Sequence, residues 1–377
     1  MAPILKKTSN HLAHRSHKII EIGIRYYVLV CLFIVSILLQ HPAGAQDANF
    51  SQYYAAPLYL NPALVGTTPH ISVGVNYRSK LKSALFPRQS SQLSFIFPIT
   101  TKSNNNFHKG GIGLSAFNET AGQNENFKVL GLNISGAYNL MLDSEGKSKI
   151  TFALQAGIVN KSIDFRNLTW GSQFDPFIGF DTSIDPSVTT IRERTSYPAF
   201  NVGLMFYRSL GDAEDYGSNV YFGFSAGNLN EPNESLIEGE EVKLPRLFKL
   251  HGGFDIGVSE KASISPNVLV KYQNEILQIN AGTYVYYNLS NISSDSETPS
   301  TTKLIAGVWF RHRDSFIFAG GVSKNKLTFG FSYDLNASDL KNFEPGPGAY
   351  EISVTYKVLK KKKVVEQERI HRPRFTL

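Results

Sequence analysis

Between Ile71 and Val358 the chain returns repeatedly to one pattern, an apolar residue at every second position. Ile71, Val73, Val75 and Tyr77 alternate with Ser72, Gly74, Asn76 and Arg78. Leu130, Leu132 and Ile134 alternate with Gly131, Asn133 and Ser135, and Ile150, Phe152 and Leu154 with Thr151, Ala153 and Gln155. The last run is the clearest, with Tyr350, Ile352, Val354, Tyr356 and Val358 set against Glu351, Ser353, Thr355 and Lys357. Successive side chains of a strand point to opposite faces, so each run reads as a strand with one apolar face. Clusters of Asn, Gly, Ser and Asp separate fourteen such runs, centred near 74, 94, 114, 134, 154, 204, 224, 253, 267, 282, 307, 318, 329 and 353.

The opposite face decides what kind of β protein this is. It carries Gly, Ser, Asn, Thr and Gln more than charge, and 18% charged residues is low for a soluble sandwich. Several runs reach the roughly 9–11 residues that a tilted strand needs to cross a bilayer. An even strand count leaves both chain ends on one side, as bacterial outer-membrane barrels require. Closure also leaves no strand edge unpaired in lipid. Tyr77, Tyr138, Tyr207, Tyr287, Trp309, Tyr333 and Tyr356 fall at run ends, as interfacial girdles would. Strands favour aromatics in any case, so that signal is weak alone. The expected fold is all-β, a transmembrane antiparallel β-barrel of about fourteen strands over residues 71–358.

The beginning of the chain reads as a secretory signal peptide over residues 1–45. Lys6, Lys7, Arg15, Lys18 and Arg25 precede an apolar run from Tyr26 to Leu39 and a small-residue site, Ala43-Gly44-Ala45. The run is shorter than the roughly 20 residues of a spanning helix, which favours cleavage before Gln46 over an anchor. Cys31, the single cysteine, lies inside that run, so the mature chain uses neither disulfides nor thiolate chemistry. The expected location is the cell outer membrane of a Gram-negative bacterium, in contact with its lipid.

The net charge of +7 sits at the two ends. The signal region holds five bases and Glu21, which leaves +3 for the mature chain. The tail over residues 359–377 supplies +5 of that, mostly through Lys360, Lys361, Lys362 and Lys363, so the body is about −2. Charge confined to a leader and a tail gives no nucleic-acid-binding face. The lysine run instead suits either a solvated tail at lipid head groups or a docking site for an acidic periplasmic partner.

If the chain starts strand one from the periplasm, the connections after odd-numbered strands face outward. They include the longest, Lys161 to Pro198, and a second, Asn230 to Leu247, which are the expected outward contact regions. Asp164, Asp175, Asp181, Asp185 and Glu193 lie in the first of these at a spacing that matches no calcium loop. Two formal motifs carry no chemistry either. Gly223-Phe224-Ser225-Ala226-Gly227 has the spacing of a nucleophile elbow but sits within an alternating strand with no helix after it. Gly111-Ile112-Gly113-Leu114-Ser115-Ala116 loosely fits a dinucleotide fingerprint, again without a helix. The nine histidines show no ligand spacing. The expectation is a non-enzyme with no catalytic residue, cofactor or metal.

Ahead of the first strand, residues 46–70 form a lead-in or plug segment built around NFSQYYAAPLYLNPALVG, from Asn49 to Gly66. It carries no charge, follows neither a two-residue nor a helical period, and is broken at Asn61-Pro62. Inside a closed barrel its aromatics can bury at the periplasmic mouth or in the lumen. Phe50, Gln52, Tyr53, Asn61, Pro62, Ala63 and Gly66 are the candidate plug residues.

Those same residues carry a family likeness. Phe50-Ser51-Gln52-Tyr53-Tyr54, followed by Pro57-Leu58-Tyr59-Leu60-Asn61-Pro62-Ala63 and Gly66, closely resembles the N-terminal signature of the PorP/SprF family. Asn76-Tyr77-Arg78, Gly110-Gly111-Ile112-Gly113, Gly348-Ala349-Tyr350-Glu351-Ile352-Ser353 and the terminal Pro373-Arg374-Phe375 extend the likeness over the mature chain. The Asn-Pro-Ala element also resembles that of FadL-like barrels. Family members often place a cysteine before the terminal signature, where this chain has His371 and Arg372, and this chain runs on through Thr376 and Leu377. The resemblance implies an outer-membrane accessory of type IX secretion and gliding motility in Bacteroidota. It would assist secretion or surface attachment of a particular cargo, such as an adhesin, through that protein or its C-terminal signal. It would also contact periplasmic and outer-membrane components of the apparatus. The alternative reading is a passive porin or FadL-like small-molecule transporter.

Overall fold

The structure, a computed structural model, describes residues 50–80, 87–100, 108–122, 124–165, 168, 170–181, 183–184, 192–210, 217–289, 302–337 and 348–358. The expected signal peptide, Asp185, Lys360, Lys361, Lys362, Lys363 and the terminal Pro373-Arg374-Phe375 lie outside the described residues.

Among the described residues sixteen strands follow one another. They are β1 (Ile71–Lys80), β2 (Arg88–Thr100), β3 (His108–Ala121), β4 (Phe127–Met141), β5 (Ser148–Ile163), β6 (Phe174–Asp175), β7 (Gly179–Phe180) and β8 (Arg194–Ser209). Then come β9 (Asn219–Gly227), β10 (Leu247–Gly257), β11 (Ala262–Gln273), β12 (Ile276–Asn288), β13 (Thr302–Arg311), β14 (Ser315–Lys324), β15 (Leu327–Asn336) and β16 (Ala349–Val358). All but β6 and β7 form one closed antiparallel barrel of fourteen strands. Each of the fourteen alternating runs is one barrel strand. Neighbours in the barrel are neighbours in the chain, except that β5 pairs with β8 across the long connection and β1 closes on β16. The closing seam runs from Ile71 opposite Val358 to Lys80 opposite Ala349. The chain enters β1 and leaves β16 at one end of the barrel, here the terminal end; the opposite one is the loop end.

The wall is inverted relative to a soluble protein. On β5, Leu154 is 70% exposed on the outside while Thr151 and Gln155, on the alternate face, are buried inside. Leu130, Leu132, Ile134, Phe152, Ile158, Phe316 and Phe318 are exposed as well, whereas Asn76, Gln92, Ser135, Asn267, Asn280 and Ser353 are buried. A surface that turns its large apolar side chains outward around the full wall belongs to an outer-membrane-type barrel. No described helix is long and apolar enough to cross a membrane.

The lumen holds the lead-in segment. It folds as three single turns: a 3-10 turn at Tyr53–Ala55, an α turn at Pro57–Leu60 and a second 3-10 turn at Pro62–Gly66. The two prolines stand at first helical positions, where a missing N–H costs nothing. Asn61 ends the α turn and caps the next, its side-chain oxygen accepting from Ala63 N at 2.9 Å. Tyr53, Tyr54, Leu60 and Leu64 form one buried cluster with Met205, Tyr207, Tyr221, Leu269, Tyr284 and Trp309 of the wall. The apolar core of the molecule therefore lies inside the barrel, between the segment and strands on every side of it.

Candidate functional site

The segment crosses the lumen from the loop end to the terminal end, and three sets of contacts hold it. At the loop end its first residues meet a cluster of charged side chains. Ser51 N and Gln52 N donate to the two carboxyl oxygens of Glu351 at 2.6 and 3.2 Å. Gln52 Nε2 donates to Glu351 O at 3.1 Å, and Ser353 Oγ donates to Gln52 Oε1 at 2.8 Å. Ser51 Oγ donates to the Asp334 carboxylate at 2.7 Å and accepts from Arg311 Nη2 at 2.9 Å. Arg78 and Arg311 both reach Asp334 Oδ2, at 2.7 and 3.0 Å. Asn76 Nδ2 adds a bond to Glu351 Oε1 at 3.1 Å. Arg311 Nη1 also meets the half-exposed Asp314 at 2.8 Å, so two guanidinium groups face three carboxyl groups, of which Asp334 and Glu351 have almost no access to water and need such pairing. Their strands are β1, β13, β15 and β16, so the cluster spans the closing seam.

Midway, Asn61 fastens the segment to the opposite wall. Its Nδ2 lies 3.1 Å from Leu204 O on β8, 3.2 Å from Phe224 O on β9 and 3.1 Å from His251 Nε2 on β10. Ser225 Oγ donates to Leu60 O at 3.0 Å and Lys249 Nζ to Tyr59 O at 2.6 Å, with the same ammonium over the Tyr59 ring. The serine of the apparent nucleophile elbow is thus a contact of the segment. The wall is also cut away where the segment passes. A methyl at Gly203 would overlap Asn61 Oδ1 and lie 2.7 Å from Ala63 N. One at Gly113 would lie 2.6 Å from Val65 and 2.8 Å from Leu58, and one at Gly111 would lie 2.6 Å from Val65 O. Two glycines of the dinucleotide-like run therefore face the segment because nothing larger fits there.

At the terminal end, Asn139 Nδ2 donates to Gly66 O at 2.8 Å and Lys149 Nζ approaches Thr67 O at 3.4 Å. Between these anchors Tyr53 donates to Asn267 Oδ1 and packs edge-on against Trp309, with ring centres 5.3 Å apart. Burial holds the hydroxyls of Tyr53 and Tyr54 well above the ordinary phenol value of 10.0, so both stay neutral.

Of the plug candidates, Phe50, Gln52, Tyr53, Asn61, Pro62, Ala63 and Gly66 are all buried along this one path. The charged partners of Ser51 and Gln52 were missed in the sequence. The available signal was parity: Arg78, Asp334 and Glu351 are charges at positions whose alternation places them inside the barrel.

The two long loop-end connections come together. Lys161 pairs with Glu234 and Arg192 with Glu238, each at 3.0 Å, and Arg192 N donates to Leu236 O at 2.6 Å. Asn230 brackets the start of β8 through Pro198 O and Phe200 N, at 2.8 and 3.2 Å. Leu244 rests on a cluster of Val159, Tyr197 and Ala199. The loop acids serve local turns: Asp175 Oδ1 accepts from Phe177 N and Ile178 N, and Asp181 Oδ1 from Ser183. Among the described residues no three His, Cys, Asp or Glu side chains gather as metal ligands would.

Residues 43–356 match the family described as type IX secretion system membrane protein PorP/SprF. No curated protein matches the chain. Among solved structures it is similar to the Pseudomonas putida toluene transporter TodX, with 11% identity, 80% of this chain and 93% of that one covered, and a TM-score of 0.43. It is similar to the CymD monoaromatic hydrocarbon channel, with 12% identity, 85% and 96% covered, and a TM-score of 0.41. The translocator domain of the autotransporter NalP from Neisseria meningitidis has 9% identity, 78% and 88% covered, and a TM-score of 0.40.

Proposed function

Because the chain belongs to the PorP/SprF family of type IX secretion system membrane proteins, we propose that it is a non-enzymatic outer-membrane barrel that holds a particular secreted protein at its outer mouth. In this reading residues 1–45 leave as a signal peptide, residues 46–70 stop the lumen, and residues 71–358 stand in lipid. The tail over residues 359–377 reaches into the periplasm. There Lys360, Lys361, Lys362 and Lys363 offer a basic contact to the secretion apparatus. The held protein is an adhesin or similar cargo, gripped directly or through its C-terminal signal, and gliding motility is one process it would serve.

One observation carries the reading. The lumen is filled along its length by a segment bonded to Glu351 at one end, to three strands through Asn61 midway, and to Asn139 at the other end. A barrel with a segment fastened through its lumen suits presenting a surface better than conducting a solute. The packed pair of loop-end connections supplies that surface.

Deleting the gene tests this. Surface display of one defined cargo should be lost while uptake of small solutes stays unchanged. Unaltered display of every secreted protein would refute the proposal. A solute-selective uptake defect would favour the transporter reading instead.

A further inference from the structure

The long connection between β5 and β8 carries a small hairpin in which Phe174 pairs with Phe180 and Asp175 with Gly179. Its apolar side chains point away from the chain. Phe177 is 95% and Ile178 71% exposed, and Phe174 and Phe180, in edge contact at 5.2 Å, are each more than half exposed. These four large side chains stand exposed on one short turn, which a soluble surface rarely allows.

The turn is also bonded internally. Gln173, buried beneath it, receives Trp170 N on its side-chain oxygen at 3.0 Å and donates Nε2 to Ile184 O at 2.9 Å. Its carbonyl accepts Asp181 N at 2.9 Å, and Trp170 rests against Phe165. Asp175 ties down the tip through Phe177 N at 2.7 Å. An apolar anchor already held in shape loses little freedom on binding, which favours its use in recognition.

Charge identifies the occupant. From Gly171 to Ile184 the only charged residues are Asp175 and Asp181. The neighbouring connection from 228 to 246 holds Glu231, Glu234, Glu238, Glu240 and Glu241 against Lys243 and Arg246. Lys161 and Arg192 pair with two of these acids, yet residues 161–198 (four bases, five acids) and 228–246 (two bases, five acids) together keep a formal charge of −4. An anionic lipid surface would repel this region, whereas a protein pocket bordered by Lys and Arg would complement it. We infer that the Phe174–Phe180 hairpin is the anchor by which the barrel grips its secreted partner, inserted into an apolar pocket with a basic rim. This rests on the reading that these connections face secreted cargo. Three Phe and one Ile bury too little area to be a whole interface, so the hairpin is its central contact.

The test places p-benzoylphenylalanine at position 177 of the full-length chain in native outer membranes, irradiates, and sequences the attached peptide. The expected product is one secreted protein, joined at an apolar stretch with Lys or Arg beside it. Attachment to lipopolysaccharide or phospholipid, to a second copy of this chain, or to nothing above the dark control overturns the inference. In parallel, a Phe177→Ser, Ile178→Ser double variant should retain that protein at the cell surface about tenfold less well, the loss typical of a removed anchor. Barrel abundance and heat-modifiable mobility should be unchanged. Display within twofold of wild type also overturns the inference. If gene deletion abolishes display and the double variant does not, the hairpin assignment alone fails; if deletion itself has no effect, the cargo-holding function fails.

Discussion

Asn61 fastens the segment to three strands of the wall through a single amide nitrogen. Changing Asn61→Ala removes its bonds to Leu204 O, Phe224 O and His251 Nε2, at about 0.5–1.5 kcal/mol for each. Heat-modifiability on gels should show a folded barrel that melts at a lower temperature, and an unshifted midpoint would contradict the fastening role. The seam cluster should respond more strongly. Asp334→Asn takes the shared carboxylate from Arg78 and Arg311 and leaves them only Glu351 and the half-exposed Asp314, and breaking a buried pair costs about 3–5 kcal/mol. A second change, Arg311→Met, made together with Asp334→Asn, should recover part of that loss, and strict additivity would show that the two do not interact. At this scale the sequence was only partly legible. Asn61 stood out because Asn-Pro breaks regular structure wherever it occurs. Glu351 looked like any polar position of a strand, since its partners Ser51 and Gln52 are 300 and 299 residues away.

The strands were the legible elements. A two-residue period is local, survives any tertiary arrangement, and must hold wherever one face is apolar and the other is not. All fourteen runs therefore emerge as barrel strands, while β6 and β7 escape because a pair of two-residue strands has no period to read. The lead-in segment was legible only by exclusion, as neither strand nor amphipathic helix. Its three single turns take their shape from the wall, and a propensity argument has no access to that. The fit can be probed at two glycines. Gly113→Val puts side-chain atoms where Leu58 and Val65 sit, and should lower thermal stability and loosen the segment, measured as faster proteolysis between Phe50 and Gly66. Gly136→Val, on the outer face with nothing within 4 Å, should do neither. Equal effects at the two sites would mean that the segment does not depend on the recesses in the wall.

For the molecule as a whole, the filled lumen predicts electrical silence. In planar bilayers the wild-type barrel should pass little current, and removing residues 50–66 should raise conductance by at least about tenfold, since a barrel of this strand number leaves room for water once emptied. High wild-type conductance would sink the plug and strengthen the porin reading. The family and the barrel were both legible across the chain, the first in short signatures and the second in periodicity. The joining of the two long connections was not, because Lys161 with Glu234 and Arg192 with Glu238 are ordinary loop charges until the fold brings them together. The seam cluster also sets an order of events. Ser51 and Gln52 are among the first described residues and Glu351 and Ser353 lie on the final strand, so these bonds form only when the last part of the chain arrives. A segment that fills a closed cylinder and is bonded all around cannot easily be threaded in afterwards. The leading residues must wait, unpaired, while thirteen strands gather around them. Their contact with the last strand then serves as a check that the right end has been reached, and a chain truncated before Glu351 should be left open and exposed to proteases.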